Sequence, residues 1–126
     1  MRKLIHRRGH GLLDYVTMAA VALAPRFLPM PPRARRVARG LAAGYTAMSA
    51  LTDGPLAVRR TLPWRAHGAV DKLLGAALPA LPWLLGVSRN RNARNLFLGL
   101  AAVSLVVTAL TDWQDEDDEL EYAEFI

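Results

Sequence analysis

The pentapeptide HGLLD at residues 10–14 recurs as HGAVD at residues 67–71, 57 positions further along the chain. Both copies keep the histidine, the glycine that follows it and an aspartate four residues after the histidine. Three more residues recur at the same offset: Ala19, Ala20 and Pro25 match Ala76, Ala77 and Pro82. Self-similarity at a fixed spacing is the signature of a duplicated structural unit.

Two further stretches extend this repeat. GLAA at residues 40–43 recurs at residues 99–102, and ALTD at residues 50–53 recurs at residues 109–112, now at an offset of 59. Each unit therefore contains His-Gly-x-x-Asp, an apolar run that ends near a proline, a basic loop, a second apolar run and Thr-Asp. The sequence predicts two tandem units, residues 10–53 and residues 67–112.

The composition indicates a single, unusually apolar domain. The chain has 126 residues, of which 52% are hydrophobic and 21% are charged. A chain of this length makes one domain. Cysteine is absent, which excludes disulfide bonds, thiolate metal sites and thiol nucleophiles.

The charges are divided unevenly along the chain. Seven of the eleven acidic residues lie in the stretch 114–126, which we expect to be a disordered acidic tail. The sixteen basic residues all precede that tail and flank the apolar runs rather than forming a face. This arrangement favours the lipid bilayer, with anionic headgroups, as the partner and disfavours nucleic acid. A second copy of the chain or another protein remains a possible partner.

Four apolar runs contain no charged residue: residues 15–25, 41–51, 73–87 and 96–110. A chain this short cannot build a core large enough to bury four helices that are apolar on all sides, so lipid is the favoured surrounding. The runs are shorter than the roughly 20 residues that a bilayer span needs. Arginines at the run ends, such as Arg26, Arg39 and Arg94, extend them by reaching towards the headgroups.

These patterns predict an all-α protein with four transmembrane helices, arranged as two tandem parallel repeats of a helical hairpin in an up-down-up-down bundle. Residues 1–113 form this membrane domain. Trp64, Trp83 and Trp113 lie at run ends, where interfacial aromatic residues are common. A soluble four-helix bundle is the alternative.

The stretches HGLLDYVTMAAVALAP (residues 10–25), ALTDGPLAVRRTLPWRAHGAVD (residues 50–71) and LPWLLGV (residues 81–87) resemble a known group of proteins. They look like small bacterial integral membrane proteins related to the Ser-Pro-Trp (SPW) repeat family. Leu81, Pro82 and Trp83 stand where Ser-Pro-Trp would be, and the first copy has Ala24, Pro25 and Arg26. The resemblance implies four helices that cross the bacterial inner (cytoplasmic) membrane, and it implies no activity.

The predicted topology places six polar residues on one side of the membrane: His10, Asp14, Asp53, His67, Asp71 and Asp112. A histidine at a helix start and an aspartate at a helix end each oppose the helix dipole. A contact between such a histidine and such an aspartate would offset both unfavourable interactions with the helix dipoles. We therefore expect His10 to meet Asp53 and His67 to meet Asp112, or the crossed pairs, with the other two aspartates one helical turn deeper.

Three interpretations of this cluster are open. In the leading one it is structural and, with Arg59, Arg60 and Arg65 of the connecting loop, it holds the helix ends together. In the second, Asp14 and Asp71 are intramembrane acids of a proton relay, because such residues are costly in lipid. In the third, histidine nitrogens and carboxylate oxygens hold a divalent metal. Because the structural interpretation is favoured, we expect no metal and no other cofactor.

Gly40 and Gly44 form a Gly-x-x-x-Gly pattern, typical of close helix approach. We expect it to pack the second helix within the chain, and a dimer face is the alternative.

The sequence does not indicate an enzyme. It lacks Gly-x-Ser-x-Gly, a phosphate-binding glycine loop and His-Glu-x-x-His. The leading hypothesis is a small membrane protein of structural or interaction type. A proton-coupled or ion-binding carrier is second, and a soluble basic bundle that binds nucleic acid is third.

Overall fold

The protein is all-α, as predicted. A computed structural model describes residues 3–113, so the expected acidic tail lies outside the described residues. The helices are α1 (Arg7–Phe27), α2 (Pro32–Leu51), α3 (Trp64–Ala77), α4 (Leu81–Leu84) and α5 (Arg91–Leu110). A 3-10 turn at Leu78–Ala80 joins α3 to the short α4, so that this path acts as the third of four helices.

The helices pair as two hairpins. α1 packs mainly on α2, and α3 packs mainly on α5, which also contacts the 3-10 turn and α4. Pro32 begins α2, where its missing N–H is not needed and its fixed φ suits the first turn. In the second hairpin, Gly86 takes a positive φ of 68° after α4, and the Asn90 side chain caps α5 by accepting a hydrogen bond from the Ala93 N–H at 2.9 Å.

The two hairpins bury matching positions. On α1 the buried residues are Arg7, His10, Asp14, Met18, Val21 and Pro25. Counted 57 residues further, the buried residues are Trp64, His67, Asp71, Gly75, Leu78 and Pro82. Each set follows the three-or-four-residue spacing of one helical face. The same face of α1 and of the α3–α4 path therefore points into the bundle.

The inner face of α2 is made of small residues. Ala34 and Ala38 are fully buried and Ala42 is nearly so, each one helical turn from the next. Small side chains let helix backbones approach closely, and apolar contacts fill the remaining space. At an offset of 59 on α5, the buried positions are Ala93, Phe97 and Ala101. α2 therefore packs within the chain through alanines.

Gly40 and Gly44, by contrast, lie on the exposed side of α2. A Cβ added at either position would meet nothing within 4 Å. They border an open apolar groove together with Val37, Met48 and Val70. The packing that we expected of these glycines inside the chain is carried by the alanine face instead.

Many large apolar side chains are exposed, and several polar side chains are buried beside the apolar core. Large hydrophobic side chains point outwards along the helices: Leu12, Val16, Leu23, Phe27, Leu73, Trp83, Leu84, Leu105 and Val106. Histidines, aspartates, serine and threonines are buried instead: His10, Asp14, Ser49, Thr52, His67, Asp71, Thr108 and Thr111. A helix bundle in water is expected to bury most of its large apolar side chains and to expose its polar ones, so this distribution departs from that pattern.

Within residues 3–113, one helix is long and apolar enough by composition to cross a membrane. It is α5, with a mean hydropathy of 1.8 over its best 18-residue window. α2 carries several arginines in its first half, which lowers its mean hydropathy. Composition therefore identifies one candidate span where four were expected.

The alanine face of α2 gives a direct test of the packing. Replacing the fully buried Ala38 by leucine should lower the free energy of unfolding by about 1–3 kcal/mol, because the added atoms have no space between the helices. Thermal unfolding of the purified protein, followed by circular dichroism, measures this change. Ala43→Leu, on the exposed side of the same helix, should leave the midpoint unchanged. Equal effects of the two variants would contradict the described packing.

Candidate functional site

Two histidines and two aspartates meet inside the bundle, near the beginnings of α1 and α3. α1 supplies His10 and Asp14, and α3 supplies His67 and Asp71. We call these four residues the His–Asp cluster. The spacing of four residues places each histidine and its aspartate on one helix face. Both histidines are 1% exposed, and the aspartates are also buried.

Each histidine contacts the aspartates of both hairpins. The His10 Nε2 lies 3.3 Å from the Asp14 Oδ2 and 2.9 Å from the Asp71 Oδ2. The His67 Nε2 lies 3.1 Å from the Asp14 Oδ2 and 3.4 Å from the Asp71 Oδ2. One ligand atom from each of the four residues lies within 4.8 Å of every other. The cluster is thus a closed ring of alternating nitrogen and oxygen atoms.

A threonine holds the other nitrogen of each imidazole. The His10 Nδ1 is 2.8 Å from the Thr111 Oγ1, and the His67 Nδ1 is 2.7 Å from the Thr52 Oγ1. These contacts cross between the hairpins, because Thr111 follows α5 and Thr52 follows α2. Each histidine is therefore positioned by the hairpin to which it does not belong.

The threonines determine where the imidazole protons lie. The Thr52 hydroxyl donates to the Met48 carbonyl at 2.7 Å, and the Thr111 hydroxyl donates to the Val107 carbonyl at 2.5 Å. A hydroxyl has one proton, so each threonine oxygen must accept from the Nδ1–H of its histidine. The Nε2 atoms consequently face the carboxylates, either with a bare lone pair or as N–H donors of a charged imidazolium.

The backbone reinforces the position of both threonines. The Asp53 N–H donates to the Leu62 carbonyl at 2.8 Å, and the Asp112 N–H donates to the Ile5 carbonyl at 2.9 Å. Short parallel bridges pair Thr52 with Leu62 and Thr111 with Ile5. The chain thus leaves α2 and α5 in an extended conformation, which directs the threonine side chain inwards.

The aspartates have hydroxyl partners from α2. The Tyr45 hydroxyl donates to the Asp71 Oδ1 and also lies 3.2 Å from the His67 Nε2. The Ser49 hydroxyl donates to the Asp14 Oδ2 at 3.2 Å. These donors satisfy carboxylate lone pairs that would otherwise be buried without a partner.

Two tryptophans cover the side of the cluster nearest the helix ends. The Trp113 ring centre is 4.9 Å from that of His10, and the Trp64 ring centre is 4.6 Å from that of Trp113. Gly68 makes this cover possible, because a Cβ there would lie 2.7 Å from the Trp113 ring. Gly11, its counterpart in the first copy, would bring a Cβ only to 3.4 Å from the end of Leu56.

The other two aspartates lie outside the cluster. The Asp53 Oδ2 is 3.5 Å from the Arg7 Nη1, and its Oδ1 is 3.8 Å from the Arg60 Nε. The Asp112 carbonyl accepts from the Trp64 Nε1–H at 3.0 Å. Arg59 and Arg65, the other predicted loop residues, are exposed.

The expected pairing of the histidines with Asp53 and Asp112 is therefore replaced. Both ring nitrogens of both histidines are engaged by the threonines and by Asp14 and Asp71, among the residues that the structure describes. The physical reason is the extended exit from α2 and α5, which buries the threonine and leaves the following residue nearer the surface. Sequence reasoning missed both threonines, although the repeated ALTD contains them.

The two hairpins differ at one position beside the cluster. Tyr45 of α2 corresponds, at an offset of 59, to Ser104 of α5. The shorter serine borders a cavity of about 40 Å³, which is also lined by His10, Asp71 and Thr108. The buried Thr108 Oγ1 has no hydrogen-bond partner within residues 3–113. The rest of the lining is mostly apolar, and a cavity of this size has room for a water molecule beside these polar groups.

In chemical terms, the cluster is a compact set of two nitrogen and two oxygen donors shielded from solvent. Such a set can tie helices together through charge pairs, carry protons, or hold a divalent cation.

Comparison with protein-family profiles, with curated proteins and with solved structures finds no match for this chain.

The two glycines of the repeated pentapeptide provide a matched pair of variants. Gly68→Ala should lower the free energy of unfolding by about 1–3 kcal/mol, because its methyl group overlaps the Trp113 ring. Gly11→Ala should be nearly neutral, because the end of Leu56 can move aside. Denaturant unfolding of both variants beside the parent chain checks this. A neutral Gly68→Ala would show that Trp113 does not pack on α3.

Proposed function

We propose that this chain is a small, multi-pass integral membrane protein of structural or interaction type, without catalytic activity. In it, two duplicated helical hairpins are joined through the His–Asp cluster. The observation that carries the proposal is the combination of exposed large apolar side chains with a buried polar cluster. Side chains such as Phe27 and Leu84, 72% and 78% exposed, point outwards while two carboxylates and two imidazoles are buried.

We attribute this distribution to a lipid surrounding. Soluble monomers rarely expose contiguous apolar patches larger than a few hundred Å². A bilayer, in contrast, favours apolar side chains on the outside and directs costly polar groups to the bundle interior. The small alanine face of α2 also fits membrane helices, which associate through close packing rather than through hydrophobic exclusion of water.

The helix lengths suit a bilayer. α1 has 21 residues and α2 and α5 have 20 each, so each is roughly 30 Å long at about 1.5 Å per residue, which matches the hydrocarbon core. Arginines at the beginning of α2 and α5 can extend to anionic headgroups. We place the chain in the bacterial inner membrane, in keeping with its resemblance to the SPW repeat proteins.

The structural role of the cluster is to join the two repeat units, because each unit contributes half of it. The matching buried faces of α1 and α3, 57 residues apart, support two copies of one unit. Each copy contributes one histidine and one aspartate, and each threonine reaches across to the other copy. Because an unpaired charge in a low-dielectric interior is strongly unfavourable, neither hairpin is expected to be stable without the other.

Membrane topology tests this proposal, and the absence of cysteine makes the chain suitable for labelling. Val58 lies between α2 and α3, and Ser88 lies between α4 and α5. Val58→Cys and Ser88→Cys should lie on opposite sides of the membrane, so an impermeant maleimide should label only one of them in intact cells. The protein should also stay in the membrane pellet after high salt and alkaline carbonate.

Other labelling patterns contradict the four-span arrangement. Labelling of both cysteines in intact cells would place the two loops on the same side. Labelling of neither before lysis, with the protein released by salt, would identify a soluble basic bundle and favour nucleic acid as its partner.

A proton-coupled or ion-binding carrier is the second candidate, and the cavity between Ser104 and the cluster favours it. The cavity reaches both His10 and Asp71, as an ion pathway would require. In proteoliposomes with a pH gradient, a carrier should dissipate the gradient, and Asp71→Asn should abolish this flux while Asp53→Asn retains it. Absence of flux from the parent chain, or equal flux from both variants, would reject the carrier and leave the structural role.

A further inference from the structure

We infer that the His–Asp cluster is a divalent metal site for a cation of the Zn²⁺ class, ligated by the two histidine Nε2 atoms and the two aspartate Oδ2 atoms. The inference deepens the proposed structural function, because the metal would bind both hairpins at once. Ligation itself rests only on the geometry of the cluster and does not depend on the location of the chain.

The distances fit a four-coordinate cation. The four nitrogen–oxygen edges of the cluster measure 2.9, 3.3, 3.1 and 3.4 Å. A tetrahedron with zinc–ligand bonds of about 2.0–2.1 Å has edges of roughly 3.3 Å. The remaining pairs of ligand atoms lie within 4.8 Å, so a small inward movement of the side chains completes the site.

The charge and proton inventory also accommodates a cation. Thr52 and Thr111 accept the Nδ1–H of both histidines, so each Nε2 faces the carboxylate oxygens either as the N–H of an imidazolium or, when deprotonated, with its lone pair. The two buried carboxylate charges need two positive charges beside them, which either two Nε2 protons or one divalent cation can supply. A single divalent cation supplies both charges and leaves the cluster neutral, with two imidazoles and two carboxylates as its ligands.

The residues around the His–Asp cluster are arranged like those that hold the ligands of a metal site in position. Histidines that bind metal almost always donate their other ring N–H to a fixed acceptor, which sets the tautomer and the ring orientation. Thr52 and Thr111 perform this role here. The Tyr45 hydroxyl orients Asp71 through its Oδ1, which leaves the Oδ2 free to face the centre. The four ligands and the three residues that position them are therefore arranged around the centre of the cluster.

The ligand set selects the class of cation. Two imidazole nitrogens and two carboxylate oxygens suit zinc, whereas calcium and magnesium require six or more oxygen ligands. Four protein ligands leave no position for a reacting water, which is typical of structural zinc sites. The cavity beside Ser104 and Thr108 provides space for the cation to approach from the α5 side.

The first experiment uses the full chain, purified in detergent and stripped with a chelator. On titration with Zn²⁺, we expect one tightly bound equivalent and a higher midpoint of thermal unfolding. With Co²⁺ as a spectroscopic substitute, we expect the intense visible absorption of a tetrahedral ion. Asp71→Asn should lose the bound metal and the Co²⁺ spectrum, while the matched control Asp53→Asn, outside the cluster, should keep both.

A second variant preserves all four ligands. Thr111→Val removes the acceptor of the His10 Nδ1–H and should weaken zinc binding by about 10- to 100-fold while the chain stays helical. If Asp71→Asn fails to fold, this variant still tests the site. Failure of the folded parent chain to bind Zn²⁺, or equal binding by the parent, Asp71→Asn and Thr111→Val, would overturn the inference. Equal binding by the three proteins is the result expected if the acidic residues after Trp113 hold the metal instead.

The two proposals fail separately. A chain that spans the membrane but binds no zinc retains the proposed function and overturns the metal site. A chain that binds one zinc at the cluster but leaves membranes in high salt retains the metal site and overturns the membrane location.

Discussion

The contact between imidazole and carboxylate across the two hairpins is the constraint on which the rest of the structure depends. Burying these groups is unfavourable unless each has a partner, and the partners come from opposite hairpins. His10 needs Asp71 and Thr111, and His67 needs Asp14 and Thr52. The close alanine face of α2, the extended exits from α2 and α5 and the tryptophan cover all serve to hold these atoms within hydrogen-bond distance. Most of the buried ionisable side chains within residues 3–113 belong to this cluster.

Much of the architecture was predictable because it is periodic. The repeated His-Gly-x-x-Asp and the uncharged runs predicted helices in two hairpins, and the four-residue spacing placed each histidine and aspartate on one face. The threonines were not predictable in the same way. In ALTD, the dipole argument selects the charged aspartate, whereas the bridge between Thr52 and Leu62 turns the neutral residue inwards. That bridge depends on the path of the chain after the helix has ended, where helical periodicity carries no information.

The glycines show how one sequence pattern can have different physical causes. Gly68 is required because Trp113 occupies the space of a Cβ, while Gly11 faces the end of a flexible leucine. Gly40 and Gly44 have the spacing of a helix-packing motif but lie on the open side of α2, and alanines provide the close approach. Spacing alone identifies residues that are able to pack closely. Only the rotation of the helix shows which of them do.

Tyr45 of α2 and Ser104 of α5 occupy corresponding positions, and the difference between them makes the two sides of the His–Asp cluster unequal. On the α2 side, a phenol fills the space and binds a carboxylate, whereas on the α5 side the corresponding space is open. Two hairpins that match at most buried positions would otherwise present the cluster equally to both halves of the bundle. With this one difference, the cavity beside Asp71 is bordered by a serine on α5, whereas a tyrosine occupies the corresponding position on α2, an asymmetry that a symmetric dimer of a single hairpin could not have. Joining two copies in one polypeptide is what allows such a difference to exist.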